Sequence, residues 1–290
     1  MARSQRTAIR STERRQGPRL RALLDRKPAD RQTTDRQTGD RQPRPVQPVA
    51  APEYRAALEL PRPAGATKES SAGLAAVARL LRGQAPATWV FTGDSITHGA
   101  LFTEGWRSFV EHFAERVRWE LRRFDDVVIN TGVCGEKTEG LLRCLDDRIL
   151  RFRPDVVLVM LGMNDSLAGP AGRASFHKNL CEIAGRLREG GVIPVLQTPN
   201  TIYTPHATTR GDLPAYVEIV REVAAWCEVP LIDHWQLWQQ KKPQPQMLLD
   251  WLQDQSIHPN YLGHRALAKL IFDSFDIFDP ASHTCSLGIA

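Results

Sequence analysis

Three short polar segments of this sequence carry residue types that together could perform acyl transfer. Segment 93–97 reads Gly-Asp-Ser-Ile-Thr and supplies a serine hydroxyl at Ser95. Segment 130–138 is Asn-Thr-Gly-Val-Cys-Gly-Glu-Lys-Thr, and segment 162–165 is Gly-Met-Asn-Asp. Attack by the Ser95 hydroxyl on an ester carbonyl turns a neutral oxygen into an oxyanion. The backbone N–H groups of Ser95 and Gly135 and the amide of Asn164 are three donors that could stabilise this oxyanion, because preorganised donors need no rearrangement during the reaction.

Each oxyanion donor makes a large contribution to catalysis. Loss of one such donor costs about 3–4 kcal/mol of transition-state stabilisation in well-studied enzymes. A glycine suits position 135, because a side chain there is expected to obstruct a close approach of the backbone to the substrate.

A general base is found near the other end of the chain. A serine hydroxyl is a weak nucleophile until a neighbouring base takes its proton. Segment 254–260 reads Asp-Gln-Ser-Ile-His-Pro-Asn, and histidine is well suited to proton transfer near neutral pH. Pro259 sets the chain direction just before a predicted helix over 260–275, so His258 is expected on a loop at a helix start.

The elements that must position these residues follow from the hydrophobic pattern. Five short apolar or β-branched runs are separated by segments with helical spacing of apolar residues; the runs are 88–92, 127–131, 156–161, 192–198 and 229–233. This alternation predicts an α/β fold, a three-layer α/β/α sandwich with a flavodoxin-like, doubly wound sheet of five parallel strands in the order 2-1-3-4-5. In that order strand one lies between strands two and three, so the loop of Ser95 is flanked by the loops of Gly135 and Asn164.

The four motifs, in this order, resemble the four conserved blocks of SGNH hydrolases, the GDSL-type esterases and lipases. They are Gly-Asp-Ser-Ile-Thr, Asn-x-Gly-x-x-Gly, Gly-x-Asn-Asp and His-Pro-Asn, and the resemblance extends over residues 93 to 264. It implies Ser95 as nucleophile, His258 as base, and Ser95, Gly135 and Asn164 as the oxyanion hole. The family consists mostly of esterases, lipases, thioesterases and carbohydrate deacetylases that work without a metal, so no metal and no cofactor are expected.

The acidic member of the site departs from the family pattern. The family usually has Asp three residues before the histidine, where this sequence has Gln255. Asp254 is one residue further away and is the slightly favoured candidate for orienting the His258 ring. Two alternatives stay open: Gln255 could accept the Nδ1–H bond as a neutral amide, or Ser95 and His258 could act as a dyad.

The sequence thus predicts a serine esterase that forms an acyl-enzyme on Ser95. No long apolar lid is evident, so short acyl groups such as acetyl are expected, with a small acyl ester or an acylated carbohydrate as substrate. A turn-rich segment, 199–214, is expected to rim the site and to contact substrate.

The alternative is a catalytically inactive SGNH-fold binding module that uses its basic N-terminal arm. Other enzyme classes are disfavoured because the sequence lacks a Gly-x-Ser-x-Gly elbow, a His-Glu-x-x-His zinc motif and a Gly-x-Gly-x-x-Gly turn.

Composition divides the chain into three parts. Residues 1–70 are predicted to form a disordered basic arm, 71–276 the hydrolase domain and 277–290 a C-terminal tail. The arm carries 16 Lys and Arg against 8 Asp and Glu, whereas the remainder carries 22 against 25, so the basic character belongs to the arm. Nucleic acid is an unlikely partner because aromatic residues for base stacking, of which the arm has only Tyr54, are not regularly interleaved with these charges. A cytoplasmic protein is predicted for three reasons. The five cysteines show no Cys-x-x-Cys spacing, no apolar stretch resembles a signal peptide, and no apolar run is long enough to span a membrane.

Overall fold

The computed structural model describes residues 68–253 and 256–289. Nearly all of the predicted N-terminal arm, residues 1–70, therefore lies outside the described residues. The first described helix, α1 (Lys68–Arg82), begins three residues before the predicted domain boundary at residue 71.

A five-stranded, all-parallel sheet forms the centre of the fold, with the strand order β2-β1-β3-β4-β5. Its strands are β1 (Thr88–Gly93), β2 (Val127–Asn130), β3 (Val156–Met160), β4 (Ile193–Gln197) and β5 (Leu231–Ile232). Every residue of β3 is buried, which matches its central place between β1 and β4. Both the strand order and the positions of the five strands confirm the sequence prediction.

Helices connect the strands and cover the sheet. After α1 they are α2 (Ser95–His98), α3 (Phe109–Ala114), α4 (Thr138–Arg143), α5 (Leu145–Arg148), α6 (Arg173–Glu189), α7 (Leu213–Trp226), α8 (His234–Lys241), α9 (Tyr261–Ser274) and α10 (His283–Ser286). Short 3-10 turns occur at Leu150–Phe152, Asp165–Gly172, Thr208–Arg210 and Pro245–Asp250. Over residues 68–253 and 256–289, no helix is long and apolar enough to cross a membrane.

Aromatic side chains pack the sheet against one helical layer. Trp89 and Phe91 alternate along β1 and therefore point to the same face. Both rings contact Phe113 of α3, at centroid distances of 5.2 and 5.0 Å. Phe275, just beyond α9, packs on the same cluster, with its ring 6.2 Å from that of Phe113. This packing fixes β1, the strand that ends at the serine motif, between neighbours that cannot shift without opening the core.

The first helix after the serine loop begins later than its apolar spacing indicates. Residues with helical spacing in the sequence are Trp106, Phe109, Val110, Phe113, Val117 and Leu121. The Ser108 hydroxyl accepts a bond from the Glu111 N–H, and the Glu111 carboxylate accepts one from the Ser108 N–H, which together form a capping box. This cap starts α3 at Phe109 and leaves Trp106 outside the helix, 56% exposed. After Ala114 the helix continues as a π-helical turn, Glu115–Glu120.

The C-terminal residues, predicted to form a tail, contain ordered structure in their described part. Residues 277–289 include the short helix α10, and Ile277 and Cys285 are buried. The indole N–H of Trp251 donates to the carbonyl of Ile289 at 2.6 Å. This segment is packed on the domain because burial of its apolar side chains away from water stabilises the folded protein.

Candidate active site

Ser95 is the first residue of α2, directly after β1. Asp94 caps this short helix, because its carboxylate accepts a bond from the Ile96 N–H at 2.9 Å. The cap makes the chain turn sharply at the carboxyl edge of the sheet and places Ser95 at the turn. Ser95 is 8% exposed, so its hydroxyl lies in a largely enclosed setting.

His258 faces this serine from a loop before α9, as the sequence predicted. The distance from Ser95 Oγ to His258 Nε2 is 2.9 Å, although the two residues are 163 positions apart in the chain. This is within the range in which a base can take a hydroxyl proton. The geometry therefore brings together the two groups that nucleophilic catalysis by serine requires.

Hydrogen bonds to its backbone, from two neighbouring segments, hold the His258 loop in place. Leu252 and Pro259 form an antiparallel bridge, and the Gln253 N–H donates to the His258 carbonyl at 2.8 Å. From the segment between β4 and α7 (residues 198–212, the β4–α7 segment), the Asn200 amide donates to the Ile257 carbonyl at 3.0 Å. The Tyr203 N–H donates to the Ser256 carbonyl at 2.8 Å. Segment 199–214, which was predicted to rim the site, thus lies against the histidine loop, and its contact with substrate stays a prediction.

Phe102 stacks on the His258 ring, a contact that sequence reasoning missed. The two ring centroids are 3.5 Å apart and the planes differ by 3°. Phe102 lies in the loop between α2 and α3, where Leu101 and Glu104 adopt positive φ angles of 71° and 53°. Such angles are costly for residues with a Cβ and tend to occur where surrounding structure enforces them, often at functional sites. The stack restricts rotation of the imidazole while leaving Nε2 directed at Ser95.

Gly135 lies in the loop after β2, and its glycine is explained by backbone conformation. Its φ angle is +78°, a left-handed conformation that favours glycine, and an added Cβ would contact no atom within 4 Å. The backbone angle is therefore the feature of the structure that requires a glycine here, and obstruction of the substrate by a side chain stays a prediction. Close approach instead explains Gly132, since a Cβ there would lie 2.5 Å from the His98 nitrogen. This contact packs the Gly135 loop directly against α2.

Asn164 follows β3 and lies beside the serine loop. Its Nδ2 donates to the Glu136 carbonyl at 3.2 Å and approaches Asp94 Oδ2 at 3.5 Å. Asn164 therefore contacts the residue after Gly135 and the residue before Ser95. The three predicted donor loops meet at one place, as the strand order implied.

A second hydrogen-bonded pair couples the loops of Gly135 and Asn164. Asp165 Oδ1 accepts from both the N–H and the hydroxyl of Thr138, at 2.9 and 2.7 Å. Thr138 is the first residue of α4, so the Asp165 carboxylate satisfies an otherwise unpaired helix-terminal N–H. Sequence reasoning gave Asp165 no role, because its pairing with Thr138 joins two loops that only the folded sheet brings together.

Burial dominates the electrostatics of the serine loop. Asp94 is 1% exposed, and loss of hydration raises the pKa of its carboxyl to about 7, opposed by the bond from the Ile96 N–H and by the nearby charge of His258. Burial likewise raises the pKa of Asp165, against the bonds from Thr138. The charged form of both carboxyls is thus less favoured than in water.

Trp106, Trp235 and Trp238 are candidates in the sequence for a sugar-binding or acyl-binding surface, although core packing is the commoner role of tryptophan. Trp235 and Trp238 are buried in the core, whereas Trp106 is exposed and its ring lies 5.3 Å from that of Tyr261. Asp254 and Gln255, the candidates for orienting His258, lie outside the described residues, so the acid assignment stays a prediction. In the part of the chain that the structure describes, no cluster of three or more His, Cys, Asp or Glu side chains could hold a metal ion.

Comparison with known families gives one match that covers more than half of the chain. The model of the GDSL-like lipase/acylhydrolase family matches residues 91–266. That interval contains all four motifs, the last three residues of β1 and the other four strands of the sheet.

Solved structures with the same fold include enzymes that act on esters. A lipase/acylhydrolase from Enterococcus faecalis is 26% identical, with a TM-score of 0.53 over 64% of this chain and 94% of that chain. An acetylxylan esterase from Geobacillus stearothermophilus is 19% identical, with a TM-score of 0.54 over 65% and 94% of the two chains. The latter likeness is one of fold.

Two curated relatives match shorter stretches. An uncharacterised protein of Mycoplasma pneumoniae is 34% identical over 86 residues, which are 29% of this chain and 10% of that protein. The uncharacterised lipoprotein YqeF of Bacillus subtilis is 24% identical over 132 residues, which are 37% of this chain and 54% of that protein. The chain thus spans about a tenth and about half of the curated relatives that it matches.

Proposed function

This chain belongs to the GDSL-like lipase/acylhydrolase family, and from that membership we propose that it is a serine esterase with Ser95 as nucleophile and His258 as general base. The observation that carries the proposal is the distance of 2.9 Å between Ser95 Oγ and His258 Nε2. Hydrogen-bond contact between a hydroxyl and an imidazole is the structural signature of an activated serine.

The first half of the proposed reaction acylates the enzyme. His258 Nε2 takes the Ser95 proton while Oγ bonds to the ester carbonyl carbon, whose oxygen becomes an oxyanion. The N–H groups of Ser95 and Gly135 and the Asn164 amide donate to this oxygen. His258 then gives its proton to the leaving alcohol as the bond between carbon and alkoxy oxygen breaks, which leaves an acyl-enzyme on Ser95.

The second half repeats these steps with water. His258 takes a proton from a water molecule, which attacks the acyl carbon and regenerates the oxyanion. The Ser95 oxygen then leaves with the proton from His258, and the carboxylic acid is released. The stacking partner Phe102 supports this role, because the ring must keep its orientation while it takes up and returns a proton twice in each cycle.

A short acyl group, with acetyl as first candidate, is the proposed substrate feature. Polar groups lie beside the serine motif: the Asn164 Nδ2 is within 3.5 Å of Asp94 Oδ2 and within 3.2 Å of the Glu136 carbonyl. Such surroundings favour a small, polar ester. A long alkyl chain binds well only where apolar side chains bury it away from water. A fold shared with an acetylxylan esterase agrees with this choice and with an acylated carbohydrate as the natural substrate class.

A series of p-nitrophenyl esters tests the acyl preference. We expect kcat/KM to be highest for acetyl or propionyl and to fall by about tenfold or more at octanoyl and beyond, since the polar groups beside the serine motif offer little to stabilise added methylenes. Initial rates below the critical micelle concentration of each ester are the measurement. A maximum at decanoyl or palmitoyl would contradict the short-acyl proposal while leaving the serine mechanism standing.

The group that orients the His258 ring can be identified by mutating its two candidates, Asp254 and Gln255. We expect Asp254→Ala to lower kcat by at least about tenfold, because loss of a carboxylate partner destabilises the imidazolium formed during each transfer. Gln255→Ala is the matched control at the neighbouring position and is expected to have a milder effect. The reverse order of effects would assign the orienting role to Gln255, and two wild-type-like variants would indicate a dyad of Ser95 and His258.

A further inference from the structure

The side chain of Asn164 has two ends of similar shape and opposite chemistry. Oδ1 only accepts hydrogen bonds and Nδ2 only donates them, so a half-turn of the amide exchanges a donor for an acceptor at the same point. Only the orientation with Nδ2 towards the substrate can stabilise an oxyanion. Whatever fixes that orientation therefore contributes to the reaction without touching the substrate.

Arg210, in the 3-10 turn Thr208–Arg210 of the β4–α7 segment, reaches the oxygen end of this amide. Its Nη2 donates to Asn164 Oδ1 at 3.2 Å, and its Nε donates to the neighbouring Met163 carbonyl at 3.2 Å. Two donors of one planar guanidinium thus bind two consecutive residues of the loop after β3. The arginine side chain is anchored in turn by its own backbone, whose N–H donates to the Ala207 carbonyl at 2.9 Å.

From this contact we infer that Arg210 is a positioning residue, which holds the Asn164 amide with Nδ2 directed at the developing oxyanion; the inference rests on the proposed esterase function. A guanidinium has donors and no acceptor, so it binds only the oxygen end of the amide. In the flipped orientation the guanidinium would face two amide hydrogens, and Oδ1 would face the Glu136 carbonyl, the Asp94 carboxyl and the oxyanion.

The partners at the nitrogen end do not make Arg210 redundant. The Glu136 carbonyl and Asp94 Oδ2 favour the same orientation, but both also compete with the oxyanion for the hydrogens of Nδ2. The contact with Asp94, at 3.5 Å, is long, so the hydrogen on that side is available to a closer and more negative acceptor. A cationic donor on Oδ1 also polarises the amide and strengthens donation from Nδ2, because hydrogen bonds in a chain reinforce one another.

A double-mutant cycle with p-nitrophenyl acetate tests whether Arg210 acts through Asn164. We expect Arg210→Met to lower kcat by about tenfold with little change in KM. The reason is that an Asn164 Nδ2 directed at the oxyanion stabilises the transition state more than it stabilises the bound substrate. In an Asn164→Ala background, where no amide remains to be oriented, the same substitution should cause no further loss. Arg210→Lys should recover part of the activity.

Arg173 provides the matched control. It is another half-buried arginine next to the same segment, and its Nε donates to Asp212 at 2.9 Å. Arg173→Met is expected to lower the melting temperature without a specific loss of kcat, and any loss should be the same in the wild-type and Asn164→Ala backgrounds. Multiplicative losses for Arg210→Met and Asn164→Ala, or a rise in KM alone, would overturn the inference.

A readout independent of turnover separates this inference from the proposed function. The Nδ2 resonances of Asn164 in a 15N-labelled sample can be assigned by their loss in Asn164→Ala. We expect Arg210→Met to shift or broaden that pair, whereas Arg173→Met leaves it in place. A wild-type enzyme inactive on all esters would refute the proposed function and with it the catalytic role of Arg210, but an unchanged resonance in Arg210→Met would refute the positioning contact even in an active enzyme.

Discussion

Replacing Ser95 by alanine is expected to lower kcat/KM for p-nitrophenyl acetate by at least about 10⁴-fold, because the variant lacks the hydroxyl that forms the proposed acyl-enzyme. The residual rate should reflect only the oxyanion donors and substrate binding. Initial rates are the primary measurement. A burst of p-nitrophenol, whose amplitude equals the enzyme concentration, should appear in the wild type when deacylation is slower than acylation and be absent from the variant.

Two comparisons make this result specific to the Ser95 hydroxyl. Ser175→Ala removes an exposed serine at the start of α6 and should retain full activity. Intact mass spectrometry after treatment with an organophosphate should show one adduct on the wild type and none on Ser95→Ala. Activity that survives in Ser95→Ala would rule out the serine mechanism. Inactivity of the wild type towards every acyl ester tried would instead favour the inactive binding module.

Replacing His258 by alanine is expected to reduce kcat by about 10³-fold or more, because the Ser95 hydroxyl loses its proton acceptor. The substitution also opens a space of imidazole size between the Phe102 ring and Ser95, since the native ring lies 3.5 Å from the former and 2.9 Å from the latter. Imidazole added to the buffer should therefore restore part of the activity in a saturable manner.

The rescue experiment distinguishes proton transfer from a structural role. His283→Ala, at an exposed histidine of α10, should be fully active and insensitive to imidazole. Thermal melting of both variants shows whether the fold is retained. A folded His258→Ala enzyme with near wild-type kcat would exclude His258 as the base. A folded, inactive variant that imidazole cannot rescue even at high concentration would indicate that the ring acts chiefly by holding the loop.

The sequence by itself determined the fold and the positions of the four motifs relative to it. Short apolar runs alternating with helical spacing specify a parallel sheet, since both features are local and repeat along the chain. The carboxyl ends of parallel strands share one edge, so Ser95, Gly135 and Asn164 could be placed together without coordinates. His258 could be placed near them because the motif stands just before a predicted terminal helix.

Only the tertiary structure revealed what holds these groups in place. Three contacts do this, and each joins residues far apart in the chain. Phe102 stacks on the His258 ring 156 positions away, Arg210 binds the Asn164 amide 46 positions away, and Asp165 binds Thr138 27 positions away. None of these pairs has a local pattern, because each depends on where two loops meet after the sheet has formed. The tertiary structure also showed that Gly135 has a backbone angle of +78° and that Gly132 packs closely on α2, two requirements for glycine that the sequence did not reveal. Periodicity thus specified the elements, and the long-range contacts between their loops set the orientation of the reacting groups.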